Sequence, residues 1–131
     1  MNIRTHVLAD TGLLGTPLAM EDDSKAIVCL ETTSDMVVDE LGLVHGGFVF
    51  GLADYAAMLA VNDPNVVLSE AKVKFTAPVV AGQALKAEAR VVEKVGRRRS
   101  VSVEVRTEDR SVMEGDFLCV VLSEHVLKRK Q

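Results

Sequence analysis

The clearest feature of the sequence is a change in hydrophobic period at Pro64. The segment Gly46–Val61 is apolar on nearly every side, is rich in Ala, and is followed by Asn62-Asp63-Pro64. This pattern predicts one long buried α-helix that stops before the proline. After Pro64, apolar residues alternate with charged ones, which is typical of strands with one solvent-facing side.

Four strands are predicted after this helix and one before it. The later strands cover the runs 69–75, 85–91, 101–105 and 112–122, and a short β-like run covers 26–31. Turn residues at 77–82, 96–98 and 108–110 separate the later strands and predict antiparallel hairpins. We therefore predict an α+β fold, in which one long helix lies across the concave face of a five-stranded antiparallel sheet.

The remaining segments carry little pattern. Residues 1–25 are expected to form an extended lead-in or a short helix, punctuated by Gly12, Gly15 and Pro17, and 32–43 a loop. Residues 123–131 are expected to form a polar tail. A chain of 131 residues is the size of one domain, so we expect 1–131 to fold as a single unit.

Composition excludes several classes of protein. A net charge of −4 argues against a nucleic-acid binder that uses a broad basic surface, and no apolar run is long enough to span a membrane. No secretory signal is visible, and two distant cysteines, Cys29 and Cys119, are best explained as reduced thiols in the cytoplasm. His6 and His125 have no partner at metal-ligand spacing, so we expect neither a metal nor another cofactor.

One carboxylate interrupts the apolar helix. Asp54 is the only charged residue between Gly46 and Val61. An ionised carboxylate in apolar surroundings is costly unless it is paired, hydrogen-bonded or protonated. Asp54 lies either on an exposed strip of the helix or in a buried position as a poised acid or base. Its small, apolar neighbours favour the buried position.

His45-Gly46-Gly47 opens the same helix. The free N–H groups of a helix N-terminus favour a developing negative charge, so the site can serve as an oxyanion hole, although a Gly pair can also be a simple turn. Asp54 lies eight residues beyond Gly46, which is ~12 Å along a helix. One small reacting group cannot touch both residues of one chain. The spacing therefore indicates a dimer with its active site at the interface.

The segment that contains these residues resembles the hotdog-fold acyl-CoA thioesterases, especially the phenylacetic-acid-pathway type. Six residues match the family's motif at its spacing: His45, Gly46, Gly47, Leu52, Ala53 and Asp54. The stretch VKFTAPVVAGQALKAEARVV is similar to the family's second and third strands. The resemblance covers about 26–122 and implies the fold predicted above.

The resemblance implies an acyl-CoA substrate and a homo-oligomer, either a dimer with sheets paired edge to edge or a tetramer of two such dimers. It implies that Asp54 acts as nucleophile or as general base on water. The Gly46 N–H of the opposite subunit would bind the thioester oxygen. His45 is expected to hydrogen-bond the loop or line the pocket. The residues expected to contact substrate are Gly47, Phe48, Tyr55 and Met58.

Two further features bear on substrate binding and turnover. The cluster Arg97, Arg98 and Arg99 either binds CoA phosphates, as the resemblance implies, or is a charged turn. Asp39 stands seven residues before Gly46, where the family tends to carry Asn or Gln, and an ionised carboxylate cannot donate a hydrogen bond.

The position of Asp39 leaves two functions open. If Asp39 approaches Asp54 across the interface, one carboxyl pKa rises and hydrolysis weakens. Alternatively, Asp39 is a solvated loop acid. The protein is therefore either a thioesterase that hydrolyses acyl-CoA or a non-hydrolytic acyl-CoA-binding or regulatory hotdog protein.

Overall fold

The computed structural model describes residues 1–129 as an antiparallel sheet wrapped around one long helix. Lys130 and Gln131, the end of the predicted polar tail, lie outside the described residues. In chain order the elements are α1 (Thr11–Leu14), β1 (Thr16–Glu21), β2 (Lys25–Glu31), α2 (Gly46–Val61), β3 (Val66–Phe75), β4 (Ala84–Val95), β5 (Arg98–Arg106) and β6 (Ser111–Val121). Short 3₁₀ turns span Ser34–Met36 and Val126–Lys128. The sheet order is β1-β2-β4-β5-β6-β3.

The predicted central helix is confirmed as α2. His45 caps its N-terminus, and Asn62 ends it in the left-handed conformation, with φ 54° and its N–H bonded to the Met58 carbonyl. Asn tolerates this conformation better than most residues. Every α2 residue from Leu52 to Val61 except Asp54 is buried, so the helix is the centre of the core.

Small residues allow the sheet to approach α2 closely. On the strand side, Ala87 and Ala89 of β4 face the helix and are fully buried. On β5, the alternating valines at 101, 103 and 105 also point inward, which confirms the period-two prediction. The resulting fold is the hotdog fold, with the helix enclosed by the sheet.

The sheet has six strands, not the predicted five. The missed strand, β1, lies in the segment predicted to be a lead-in. It is an edge strand with a register shift between Pro17 and Ala19, so its apolar residues do not alternate. Proline is tolerated there because an edge strand has one unpaired side.

The predicted hairpin at 77–82 is wrong. β3 pairs with β6, and β4 pairs with β2, so the segment between β3 and β4 crosses from one side of the sheet to the other. Local turn residues signal where a strand ends but not which strand it joins. The other two predicted hairpins are confirmed, since β4 pairs with β5 and β5 pairs with β6.

Candidate functional site

The N-terminus of α2 is shaped by its own histidine. His45 Nδ1 accepts a hydrogen bond from the Gly47 N–H at 2.7 Å, which satisfies one of the free donors of the first turn. Because Nδ1 is an acceptor here, the proton of the neutral ring lies on Nε2. A Cβ on Gly47 would lie 2.8 Å from His45 Nδ1, so the cap requires glycine at this position.

This arrangement predicts different stabilities for two alanine variants. Gly47→Ala should displace His45 and lose the cap, whereas a Cβ on Gly46 makes only ordinary contact with the Phe75 ring at 3.5 Å. Both variants gain similar helix propensity. We expect the unfolding free energy of Gly47→Ala to be about 1 kcal/mol below that of Gly46→Ala in urea denaturation. Equal stabilities would show that the cap contributes nothing.

The Gly46 N–H remains available for a ligand. None of the hydrogen bonds formed among residues 1–129 uses it. The N–H lies at the positive end of a 16-residue helix, where a negative charge is favoured. This is the donor that the sequence predicted for an oxyanion.

An open apolar groove adjoins this helix terminus. It lies between α1 and the first turn of α2, and we call it the α1 groove. It is lined by Asp10, Leu13, Leu14, His45, Gly47 and Phe48. His45, Gly47 and Phe48 are residues that the sequence predicts at the site, whereas the α1 residues were not predicted there. Their one signal was a pair of leucines between two glycines in the lead-in segment.

Asp54 lies in the middle of α2 and is half-buried. Its Oδ1 atom is fully buried and has no hydrogen-bond partner within the described part of the chain. Burial raises the pKa of Asp54, and the charge of His6 opposes that rise. Burial, and then the charge of Asp54, raise the pKa of the Cys119 thiol to about 12. Cys119 is therefore inert as a nucleophile, and Asp54 is the reactive candidate in the helix.

The other predicted residues lie in different surroundings. Tyr55 is buried beside Asp54, and Met58 is a core residue with 1% of its surface exposed. Asp39 lies on an exposed loop, where Oδ1 accepts hydrogen bonds from the N–H groups of Leu41 and Leu43 at 3.0 and 3.2 Å. In this chain its carboxylate therefore serves to fold its own loop.

The three arginines lie at the opposite end of α2 from Gly46. Arg97 lies in the β4–β5 turn, and Arg98 and Arg99 begin β5. This turn is close to the β1–β2 turn, in which the Ser24 N–H donates to the carbonyl of Ala60 near the C-terminus of α2. Arg99 is held by Asp23, with Nε to Oδ1 at 2.9 Å, whereas Arg97 and Arg98 are exposed. Within one chain the arginines and Gly46 are therefore not brought together.

A family model described as "Thioesterase superfamily" matches residues 41–114, which include all of α2 with His45, Gly46 and Asp54. The chain belongs to the thioesterase superfamily. This membership confirms the resemblance stated from the His-Gly-Gly and Leu-Ala-Asp motif.

Among residues 1–129, no group of three or more His, Cys, Asp or Glu side chains is arranged to hold a metal ion. No helix described there is long and apolar enough to cross a membrane.

Several relatives extend the likeness beyond the matched region. An uncharacterized protein from Pyrococcus horikoshii has a solved structure with a TM-score of 0.95 and 52% identity, covering 98% of each chain. The methylthioribose-1-phosphate isomerase of Aquifex aeolicus is 47% identical over 93% of this chain, but this chain spans only 26% of that protein. The transcription factor FapR of Thermoanaerobacter sp. is 27% identical over 97% of this chain, which spans 64% of FapR.

Two more distant structures share the fold alone. PaaI from the phenylacetic acid degradation operon of E. coli has a TM-score of 0.81 and 23% identity, covering 92% of this chain and 88% of PaaI. A hypothetical thioesterase from Streptococcus pneumoniae, solved with coenzyme A, has a TM-score of 0.74 and 17% identity, covering 84% and 87% of the two chains.

Proposed function

We propose that the chain hydrolyses acyl-CoA thioesters to a carboxylic acid and CoA, and that each active site is formed by two subunits of a homo-oligomer. The observation that carries this proposal is the buried Oδ1 of Asp54, which has no hydrogen-bond partner among residues 1–129. A carboxylate with a structural role would be expected to have its buried oxygens bonded. An unbonded one is available to a substrate or a water molecule.

The chemistry needs a base or nucleophile and a donor for the oxyanion. The Asp54 carboxylate either takes a proton from water as the water adds to the carbonyl carbon, or attacks that carbon to form an anhydride that water hydrolyses. In both routes the Gly46 N–H of the partner subunit stabilises the negative charge on the carbonyl oxygen. The C–S bond breaks as the tetrahedral intermediate collapses, which gives the acid in the first route and the anhydride, before its hydrolysis, in the second. The released CoA thiolate takes up a proton.

A second subunit is needed because of the helix geometry. Gly46 and Asp54 of one α2 are separated by ~12 Å, which is too far for one carbonyl group to contact both. β3 offers a place for the second copy, since it is a ten-residue strand at the edge of the sheet and pairs with β6 on its other side. Phe75 of β3 lies beside Gly46 and is 54% exposed. Pairing of two subunits along β3 would therefore bring the partner subunit close to Gly46.

The protein should therefore be a dimer or a tetramer of two dimers at micromolar concentration. Pairing along β3 would cover its exposed edge and the Phe75 ring. Analytical ultracentrifugation measures the mass directly. A stable monomer with full activity would contradict the shared site.

The α1 groove is suited to the acyl group of the substrate. Leu13, Leu14 and Phe48 give it an apolar surface, and Gly47 lets a ligand approach the backbone beside the oxyanion donor. An acyl chain in this groove would have its thioester carbonyl near the N-terminus of α2. A cytoplasmic location of the protein would agree with an acyl-CoA substrate and with two cysteines that form no disulfide.

The exposed arginines of the β4–β5 turn are expected to bind the CoA phosphates. We expect an Arg97→Ala/Arg98→Ala double variant to raise KM for acyl-CoA and to weaken the dependence of KM on salt, because phosphate contacts at the surface are screened by ions. Arg99 is left in place because it is paired with Asp23. Arg110→Ala, an exposed charge at the other end of β5, is the matched control. An unchanged KM at low ionic strength would show that the turn does not contact CoA.

A second function, acyl-CoA binding without hydrolysis, is favoured by the likeness to a transcription factor over 97% of this chain and by Asp39 in place of an amide. One panel separates the two functions. Release of CoA from short, long and aromatic acyl-CoAs would be measured together with direct binding by calorimetry. Turnover of at least one ester supports hydrolysis, whereas tight binding with no turnover on any ester supports the regulatory function.

A further inference from the structure

Leu14, the last residue of α1, closes one end of the α1 groove. Its side chain lies over Gly51 of α2, where a Cβ on that glycine would come within 3.0 Å of Leu14 Cδ2. Apart from α2 itself, no other atom of residues 1–129 lies within 4 Å of that position. Leu14 therefore fills the space beside Gly51, and the groove, which is lined by Gly47 but not by Gly51, ends there.

α1 is held at both ends, so Leu14 forms a fixed wall. At the start of α1, the Asp10 side chain accepts a hydrogen bond from the Gly12 N–H at 2.8 Å. After its end, Gly15 has φ 109°, and a Cβ there would lie 2.9 Å from Cδ1 of the fully buried Leu52. The backbone that follows Leu14 therefore packs directly against the core, an approach that needs glycine.

The spacing of Gly47 and Gly51 gives the length of the groove along α2. The two glycines are four residues apart, so they lie on the same face of the helix and are separated by about 6 Å along its axis. An extended saturated chain advances about 1.3 Å per carbon, from C–C bonds of about 1.5 Å at near-tetrahedral angles. About five carbons therefore reach from the start of α2 to Leu14. Beyond Leu14, the same face of α2 continues to Tyr55, which is buried in the core.

We propose that Leu14 determines the length of the acyl chain that the protein accepts, and that the preferred substrates carry straight chains of about five carbons. This inference rests on the function proposed above, in which the thioester carbonyl lies at the N-terminus of α2 and its chain lies in the α1 groove. α1 lies outside the residues 41–114 matched by the family model, so the superfamily motif does not include this wall.

The wall should give a defined dependence of affinity on chain length. Each carbon added before the chain reaches Leu14 moves apolar surface from water into the groove, which raises affinity by about fourfold. Carbons beyond the wall have to leave the groove for water. They add no buried apolar surface, so affinity should level off at that length.

Calorimetric binding of straight-chain acyl-CoAs of increasing length measures this limit. Asp54→Asn is the background for every variant, so that no ester is consumed during the titration. Leu14→Ala should move the limit to chains about two carbons longer, because the shortened side chain loses that much reach over Gly51. Leu18→Ala is the matched control, since Leu18 is an exposed residue of β1 outside the groove, and it should leave the limit unchanged.

Substitutions at Gly51 distinguish a moved wall from a loosened fold. In the Leu14→Ala background, Gly51→Val returns about the volume that was removed, at the place that Leu14 Cδ2 occupied, and the limit should move back to shorter chains. With Leu14 present, Gly51→Ala should push Cδ2 into the groove and shorten the limit by about one carbon. This variant tests the wall even if Leu14→Ala does not fold.

The inference and the proposed function fail in different ways. The same limit in every variant, or an affinity that does not depend on chain length, would overturn the role of Leu14. Turnover is measured separately, in chains that keep Asp54. If the esters that bind are not hydrolysed there, the proposed hydrolysis is wrong while the length limit stands, because the limit is measured by binding alone. Absence of binding to every ester would overturn both.

Discussion

Asp54→Asn is expected to lower kcat for acyl-CoA hydrolysis by about 10² or more, since a positioned general base contributes at least that much. Asn keeps the shape and polarity of the side chain, but it can neither attack the thioester nor take a proton from water. Binding of acyl-CoA should remain, because the α1 groove and the Gly46 N–H are unchanged. Steady-state kinetics and calorimetric binding would be measured on the same preparation.

The stability of Asp54→Asn should be equal to or higher than that of the wild type at neutral pH. Burial raises the folded-state pKa of Asp54. For a group with a raised pKa, its contribution to stability is present at low pH and is lost as pH rises through the folded pKa. At neutral pH the ionised carboxylate therefore lowers stability, and Asn removes that cost.

Thermal melts at acid and neutral pH would check the sign of this effect. Asp116→Asn, on the exposed outer side of β6, is the matched control. A variant that melts lower and loses binding and turnover together would show that Asp54 is structural.

Gly46→Pro should lower kcat by about 10² to 10³ through loss of a single N–H, which is the usual effect of removing one oxyanion donor. The fold should tolerate this change. Residue 46 is the first residue of α2, the helical position that proline prefers, and His45 before it has φ −62° and ψ 132°, as a residue preceding proline requires. The N–H that is lost has no partner among residues 1–129, so no internal hydrogen bond is broken.

Gly46→Ala is the control for the oxyanion donor because it keeps the N–H and adds a methyl group in ordinary contact with Phe75. We expect Gly46→Ala to keep far more activity than Gly46→Pro at similar thermal stability. Equal activity in the two variants would show that this N–H does not take part in the reaction.

The sequence was most informative where structure depends on local periodicity. The apolar segment of α2 and the alternation in β4 and β5 predicted those elements because burial of one face leaves a direct mark on residue spacing. Asp54 stood out for the same reason, as a charge that broke an apolar pattern. The separation of Gly46 and Asp54 followed from helix geometry alone.

The sequence was least informative where structure depends on distant contacts. The pairing of β3 with β6 and of β4 with β2 has no local signal, and β1 is an edge strand without alternation. The Asn62 side chain is bonded to Arg4 and Asn2, which are 58 and 60 positions away along the chain. Asn62 looked like a simple helix stop in the sequence, but it also fixes the N-terminal segment of the chain.

The most direct test of the shared active site is complementation between two inactive subunits. Asp54→Asn and Gly46→Pro chains would be expressed together with different affinity tags, and the mixed dimer would be purified through both. If Gly46 of one subunit works with Asp54 of the other, one of the two sites is intact, and the mixed dimer should have about half the wild-type kcat by the symmetry of the dimer. If each site is formed within one chain, the mixed dimer has no intact site. A mixed dimer as inactive as its parents, with both variants folded and dimeric, would contradict an active site shared between subunits.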